Sequence, residues 1–297
     1  MRRESLRTTD LHAPSTPCAP QRSHDDGCHH AHVLDTGFCI ARSNLIARGT
    51  GWQYVRCHAP AFLLQHPAHG ALLYDTGYAP RILDAWAHWP DRLYSYATPT
   101  TLGMPVLLQL DRHGVAQRDV RTVIVSHLHA DHVAGLRDFP DATFVVSCEA
   151  FALQQHIHGI DAVRRGVLQR LFPDDFARRA QVIHQFANAG LPHLGATHDL
   201  LGDGTILLLP LPGHARGQLG ALVRTDRGDV LLCADAAWTS QAYREQRPPH
   251  WLAAAIQDDM DALVSSLRAL RDFAIARPDV AILPTHCPET LRWGSRT

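Results

Sequence analysis

Imidazole and carboxylate side chains are concentrated in one short segment, the sequence Ser-His-Leu-His-Ala-Asp-His at 126–132. It follows an apolar run typical of a buried strand, so a strand-end loop could direct His127 and His129 toward one position. Asp131 and His132 open the helix predicted next and would face a neighbouring position. Four potential ligands within six residues exceed what one tetrahedral ion accepts without backbone contortion. We therefore expect two adjacent metal ions.

Three more residues of ligand type come directly after apolar segments. They are His214, Asp235 and His286, and each follows a run of four or more apolar residues. A packed strand delivers polar groups to the rim of a fold at such positions. Imidazole and carboxylate ligands without thiolate suit Zn²⁺, with Mn²⁺, Fe²⁺ or Co²⁺ admissible. The sequence thus predicts two divalent ions, with zinc as the first choice.

Composition excludes several other classes of chemistry. The chain has 297 residues, of which 45% are hydrophobic and 19% charged, and it could bury one large core or two small ones. All 28 basic residues are arginine, which removes Schiff-base lysines and the phosphate-loop lysine. Their positive charges nearly cancel the negative charges of the 29 acidic residues. The chain therefore has no excess positive charge that would indicate a nucleic-acid partner. The 21 histidines are the most informative count.

Targeting signals and cysteine usage indicate a cytoplasmic protein. No apolar run approaches the roughly 18 residues of a membrane span, and the first residues lack the apolar core of a secretory signal. Seven cysteines are an odd number, widely spaced and without a Cys-x-x-Cys pair. Reduced thiols are therefore expected. We expect a small-molecule partner, without nucleic acid or membrane, and the oligomeric state stays open.

Short apolar strands separated by turns, with helices following, predict an α+β fold. Residues 1–31 show no hydrophobic period and are expected to form a disordered tail, and 32–297 a single domain. Strands are predicted at 61–65, 71–74, 120–125, 143–147, 205–209, 219–224, 229–233 and 280–283. Helices are predicted at 148–157, 161–171 and 258–273. Two strand-rich halves, each ending in helices, favour two sheets packed face to face with helices outside.

The tail contains a polar tract whose side chains could catch a metal ion. These residues are His24, Asp25, Asp26, Cys28, His29, His30 and His32. Such tracts are signals of composition only. We interpret the tract as a solvated polar tail.

The motif His-x-His-x-Asp-His, followed by Pro-Gly-His, an isolated Asp and a late His, resembles the metallo-β-lactamase superfamily. The resemblance covers about residues 33–290. It implies a four-layer αββα sandwich with a two-metal site at one edge of the sheets. It also implies a hydrolase, in which hydroxide formed at the ions attacks a carbonyl carbon.

The same resemblance assigns roles by position. It implies that His127, His129 and His214 hold the first ion, that Asp131, His132 and His286 hold the second, and that Asp235 bridges both. Asp75, in an Asp-Thr-Gly sequence that the superfamily also carries, would orient a liganding histidine. Asp131, close to the nucleophile, is the expected proton shuttle and catalytic residue.

Within the superfamily, the layout is most similar to the N-acyl-homoserine lactonase group. The similarity covers 127–136, 212–218 and Asp235. Those lactonases carry a tyrosine three residues after the bridging aspartate, where this chain has Trp238. An indole N–H donates a hydrogen bond but does not exchange a proton as a phenol does, and Tyr243 is the candidate to replace that phenol.

Further aromatic residues are candidate substrate contacts. They are Trp86 and Trp89 with their neighbours Tyr94 and Tyr96, and Trp251 beside Trp238 and Tyr243. An apolar lining of this kind would suit an acyl chain.

Other members of the superfamily agree less well with the sequence. Asp235 stands where some zinc β-lactamases have a cysteine, and His129 argues against the flavodiiron oxidoreductases. RNA-processing members carry basic surfaces that this chain lacks. Three alternatives stay open. The first is glyoxalase II, and the second is a mononuclear iron enzyme of the persulfide dioxygenase type. The third is a pathway-associated metal-binding protein with little turnover.

Overall fold

Two mixed β-sheets form the centre of the protein in a computed structural model that describes residues 29–295. In chain order the strands are β1 (His30–Arg42), β2 (Tyr54–His66), β3 (Gly70–Tyr74), β4 (Thr100–Leu102), β5 (Val120–Ile124), β6 (Thr143–Ser147), β7 (Ala180–Ile183), β8 (Asn188–Leu191), β9 (Gly195–Asp199), β10 (Ile206–Pro210), β11 (Leu219–Thr225), β12 (Gly228–Ala234) and β13 (Ala281–Pro284). The first sheet has the order β4-β1-β2-β3-β5-β6-β7, and the second has the order β13-β12-β11-β10-β9-β8.

Helices connect the strands and cover the outer faces of both sheets. They are α1 (Ser43–Ile46), α2 (Arg81–Trp86), α3 (Arg92–Ala97), α4 (Val106–Gln109), α5 (Ala130–Val133), α6 (Cys148–His156), α7 (Gly159–Arg164), α8 (Phe176–Arg179), α9 (Ser240–Arg244), α10 (Met260–Ala276) and α11 (Pro288–Gly294). No helix within residues 29–295 combines the length and the apolar character that crossing a membrane requires.

Side-chain alternation along the strands divides the hydrophobic core into three layers. In β2 and β3, Phe62, Leu64 and Leu72 face the second sheet, whereas Leu63 and Leu73 face the helices outside the first sheet. The outer face of the second sheet packs against α9 and α10. This period of two is what a pleated strand imposes, and it allows both faces of each sheet to be buried. The predicted four-layer αββα sandwich is confirmed.

The longest helix, α10, shows why the second sheet is covered on its outer face. Its buried residues Leu263, Leu267 and Leu270 recur at helical spacing, which gives one apolar stripe. Asp259 caps its N-terminus by accepting the N–H groups of Asp261 and Ala262, both at 2.9 Å. The same turn contacts the Pro-Gly-His segment, because the N–H of Asp259 donates to the carbonyl of Gly213.

Strand direction brings the predicted ligands to one edge of the sandwich. In the first sheet β3 and β5 run parallel, so the residues that follow them emerge side by side. In the second sheet β12 and β13 are parallel, and β10 has the same direction because it is antiparallel to β11, which is antiparallel to β12. The two sheets are joined near this edge, where the Tyr74 hydroxyl donates to the carbonyl of Leu219 at 2.8 Å.

The boundary predicted for the N-terminal tail needs correction at its last residues. Strand β1 begins at His30, and His30 and Ala31 pair with Gln65 and Leu64 of β2. Backbone pairing and burial of the Ala31 side chain order these residues, although the polar composition of the segment predicts disorder. Residues 1–28, with most of the polar tract, lie outside the described residues, and the single domain over 32–297 stays a prediction.

Other predicted elements agree with the structure, with one notable difference. The helix expected over 161–171 ends at Arg164, because Gly166 takes a left-handed φ of 69°. Strands β1, β4, β7, β8 and β9 are not among the predicted strands. The last four are short, with three to five residues each, and carry little alternation of apolar and polar residues. β1 has 13 residues, but Asp35, Thr36 and Gly37 interrupt its apolar pattern.

Candidate metal centre

The seven predicted ligands converge at the shared edge of the two sheets. His127 and His129 follow β5, and Asp131 and His132 lie in α5. The other three come from loops after strands of the second sheet, namely His214 after β10, Asp235 after β12 and His286 after β13. All except His129 are at most 9% exposed. The cluster therefore joins residues that are up to 159 positions apart in the sequence (286 minus 127).

One group within the cluster consists of three imidazoles. One ligand atom each of His127, His129 and His214 lies within 4.8 Å of the others. Nδ1 of His129 is 2.9 Å from Nε2 of His214, and their rings are nearly perpendicular. Two ring nitrogens at this separation converge on one cation or share a proton. The arrangement provides three nitrogen ligands for one ion.

A second group offers two imidazoles and a carboxylate. Ligand atoms of Asp131, His132 and His286 also lie within 4.8 Å of one another. Asp131 Oδ2 is 3.8 Å from Nε2 of His132 and 3.7 Å from Nε2 of His286. These separations are too long for hydrogen bonds, but they suit atoms that surround an ion at about 2 Å.

Asp235 lies between the two groups and contacts both. Its Oδ2 is 3.3 Å from Nε2 of His214 and 2.9 Å from Nε2 of His286, and its Oδ1 is 3.5 Å from Nε2 of His132. The indole N–H of Trp238 donates to Oδ2 at 2.9 Å. A carboxylate with one group on either side can bridge two ions.

Unpartnered buried atoms show that this cluster fits metal ions. Nε2 of His127, Nε2 of His132 and Oδ1 of Asp235 are buried and have no hydrogen-bond partner among the described residues. Burying such atoms without a partner costs about 1–3 kcal/mol each. Divalent cations at the two groups would satisfy all three atoms, and neither group contains the thiolate that softer ions prefer.

Asp75 orients the rings of His127 and His132, the second directly and the first through Ser126. It lies directly after β3 with a left-handed φ of 59°, and it accepts three hydrogen bonds. Its donors are the Ser126 N–H at 2.8 Å, the Ser126 hydroxyl at 2.7 Å and Nδ1 of His132 at 2.7 Å. The Ser126 oxygen in turn accepts from Nδ1 of His127 at 3.0 Å. Both rings are therefore held with Nε2 directed at the cluster.

Two further acceptors fix the remaining ring orientations. Nδ1 of His214 donates to the side-chain oxygen of Gln257 at 2.9 Å, and Nδ1 of His286 donates to the carbonyl of His58 at 2.7 Å. Sequence reasoning missed Ser126, Gln257 and the His58 carbonyl. Ser126 could have been found from its place inside the motif, whereas the other two carry no local signal.

Glycines allow close packing at two positions beside the cluster. At Gly213, with φ 122°, a Cβ would lie 2.1 Å from the N atom of Leu263 in α10. At Gly166, a Cβ would lie 2.7 Å from Cδ2 of His129. A larger residue at either position would displace a histidine of the cluster.

Without a bound ion, the histidines of the cluster fall into two classes, those with a lowered pKa and those with a raised pKa. Burial and the neighbouring imidazoles lower the pKa of His127 and His129, and burial also lowers the pKa of His214. Burial opposes protonation of His286 as well, but Asp235 and Asp131 outweigh it and raise its pKa to about 9. The three neighbouring histidines outweigh burial and hold the pKa of Asp235 well below its usual range.

A cavity of about 590 Å³ opens onto His129 and His214. Its apolar lining includes Leu153 and Ile157, and its charged lining includes Arg164. This volume falls within the range of ordinary small-molecule sites. A substrate with an acyl group could therefore lie with its carbonyl against the ligand cluster.

The predicted aromatic contacts are distributed differently. Trp238 lies at the cluster, with its ring edge-on to His214 at 5.6 Å. The structure does not bring Tyr243 there, because α9 turns it into the outer hydrophobic layer, where it is 2% exposed. Trp86 packs against the core outside the first sheet and Trp89 is 66% exposed, so neither lines the cavity.

A second group of ligand-type residues lies at the opposite end of β2. Oδ2 of Asp203 is 3.4 Å from Nε2 of both His66 and His69. Nδ1 of His66 accepts the backbone N–H groups of Ala68 and His69, which leaves the ring proton on Nε2, directed toward the carboxylate. We interpret this group as an imidazole–carboxylate cluster held by these charge contacts.

Comparison with known proteins agrees with this geometry. The family described as the Metallo-beta-lactamase superfamily matches residues 54–286. N-acyl homoserine lactonase AttM of Azorhizobium caulinodans is 30% identical over 89% of this chain and 94% of its own length. The N-acyl homoserine lactone hydrolase structure with product N-hexanoyl-L-homoserine bound at the catalytic metal centre has a TM-score of 0.68, with 18% identity over 90% of this chain and 96% of that one. The dizinc quorum-quenching lactonase AidC has a TM-score of 0.61, with 14% identity over 89% of this chain and 92% of that one.

Proposed function

Because the chain belongs to the metallo-beta-lactamase superfamily, we propose that it is a dinuclear-metal hydrolase that opens a lactone ring, with N-acyl-homoserine lactones as the first candidates. Esters and thioesters are the related substrates. The observation that carries the proposal is the position of Asp235 between two groups of three ligands each. The lactonases named above support the choice of a lactone.

We assign the residues within this proposal as follows. His127, His129 and His214 would hold one ion, Asp131, His132 and His286 would hold the other, and Asp235 would serve both. Zn²⁺ is the proposed metal, since the ligands are imidazole and carboxylate. Bound ions would lower the pKa of a water between them toward neutrality and polarise the substrate carbonyl.

The side chains of the site have separate tasks in this reaction. Asp131 has an oxygen near Nε2 of His286, and we assign it to accept the proton of the attacking water and pass it to the leaving oxygen. Trp238 holds the bridging carboxylate through its indole N–H. Because that N–H is already engaged, Trp238 supplies no phenol-like proton to the substrate.

The cellular setting belongs to the same proposal. The cysteines within the described residues are all free, which is typical of a reducing compartment. We propose a cytoplasmic location and a small-molecule substrate.

A substrate panel with metal analysis tests the function. Protein with its metal content measured is assayed against acyl-homoserine lactones, matched thioesters and a β-lactam. We expect lactone opening to be fastest, with two metal ions per chain. One iron per chain with oxygen consumption would instead favour the persulfide dioxygenase type, and a silent panel on fully loaded protein would favour a binding role.

Removing the carboxylate of Asp75 tests the orienting contacts. We expect Asp75→Asn to weaken metal binding or lower kcat about 10- to 100-fold, because the liganding rings lose their acceptor. Competition with a chromophoric chelator measures the affinity. Asp138→Asn, a partly buried carboxylate beside Arg81, is the matched control. Metal affinity and kcat that both equal those of the Asp138→Asn variant would contradict the assignment.

A further inference from the structure

Two cysteines lie directly opposite each other on neighbouring strands beside the metal centre. Cys39 of β1 and Cys57 of β2 are Cα partners in the antiparallel ladder, so their side chains are on the same face of the sheet. Opposed residues of such a ladder have Cα atoms about 4.5–5.5 Å apart. This range lies within the 4.4–6.8 Å that disulfides usually span, so little strand movement is needed to join them.

The two thiols differ in environment in the way that peroxide chemistry requires. Cys39 is partly exposed, whereas Cys57 is buried. The thiolate is the reactive form of cysteine, and reactive cysteines are accessible and stand next to a second thiol that can resolve them.

We propose that Cys39 and Cys57 form a peroxide-reactive dithiol that closes to a disulfide. The Cys39 thiolate attacks one oxygen of a hydroperoxide, the O–O bond breaks, and the second oxygen leaves as an alcohol or as water after taking a proton. The resulting sulfenic acid is attacked by the Cys57 sulfur, which forms the S–S bond and releases water. Two thiols and one peroxide thus give one disulfide, one water and one alcohol or second water.

The position of Cys57 links this modification to the metal centre. The next residue, His58, supplies the carbonyl that accepts the Nδ1 hydrogen of His286 at 2.7 Å. Rotation of the Cys57 side chain into the disulfide acts on the adjacent peptide group, and weakening of the carbonyl as an orienting partner of His286 lowers metal affinity. This consequence rests on the proposed function, whereas disulfide formation itself does not.

The test exposes metal-loaded protein to hydrogen peroxide and maps the disulfides by mass spectrometry. We expect a single peptide pair joined through Cys39 and Cys57, and recovery of free thiols with a reductant. In Cys57→Ser, dimedone should trap a sulfenic acid on Cys39, and in Cys39→Ser neither product should form. Mapping the unsubstituted protein keeps the test valid if a variant folds poorly.

Cys148 provides the matched comparison. It is also partly exposed, but burial and Glu149 raise its pKa. We expect Cys148→Ser to form the disulfide at the rate of the unsubstituted protein. Absence of the Cys39–Cys57 link, or oxidation of Cys148 as fast as Cys39, overturns the proposal. These outcomes are independent of the lactone assay, so they separate this proposal from the hydrolase proposal.

Discussion

Replacing Asp235 by asparagine is expected to abolish turnover while the fold is retained. The variant keeps the size of the side chain but removes the charge that lies between the two ligand groups, within 3.5 Å of His132, His214 and His286. Loss of a partner that only orients a ligand costs about 10- to 100-fold. In the proposed site Asp235 would serve both ions, so its loss should cost more than the loss of an orienting partner.

The Asp235→Asn experiment needs three measurements. These are kcat/KM for the best lactone of the panel, metal content after gel filtration, and the far-UV circular dichroism spectrum. Asp91→Asn is the matched control, since Asp91 is a buried carboxylate beside Arg170 and outside the ligand cluster. Turnover in Asp235→Asn within tenfold of the unsubstituted protein would reject the two-metal mechanism.

Removing the ions is expected to have the second large effect. A chelator should abolish hydrolysis and lower Tm, because buried nitrogen and oxygen atoms of the cluster then lose their partners. An ion present at 1,000 times its Kd stabilises the folded state by about 4 kcal/mol. Restoring Zn²⁺ should restore both activity and Tm. A chelated protein that keeps its activity would contradict the prediction.

The affinity for the ions should also depend on pH in a defined direction. In the ion-free protein the pKa of His286 is about 9, so at neutral pH this ring is protonated and an ion must displace its proton. The charge contacts of the protonated ring with Asp235 and Asp131 stabilise the folded, ion-free protein. This contribution is complete below pH 6.5, the ordinary pKa of the ring, and it is lost as the pH rises through about 9. Metal affinity should therefore rise between pH 7 and pH 9, as chelator competition can measure.

Several features of the fold and site were predictable because their signals are local. The segment 126–132 concentrates ligand types after an apolar strand, and His214, Asp235 and His286 each follow another such run. The strand end is where a buried backbone reaches the rim, so these positions could be chosen without knowing how the strands pair. Short apolar runs bounded by turns similarly predicted most of the central strands and the two-sheet core.

Features that depend on contacts between distant segments could not be predicted. The His58 carbonyl that holds His286 is 228 positions away in the sequence, and Gln257 is 43 positions from His214. Tyr243 was expected at the site because it is near Asp235 in the sequence. The direction of α9 instead places it in the outer layer. The pairing of Cys39 with Cys57 likewise follows from the register of β1 against β2.

The amino-acid sequence by itself determined which residues of this protein could serve as metal ligands and that they follow apolar strands, because ligand chemistry and apolar runs are properties of residues and their near neighbours. The tertiary structure alone decided which nitrogen of each imidazole faces the cluster, where the cavity opens and which aromatic ring reaches the site. The physical reason is that orientation depends on hydrogen bonds and packing between strands whose order in the sheets does not follow their order in the chain.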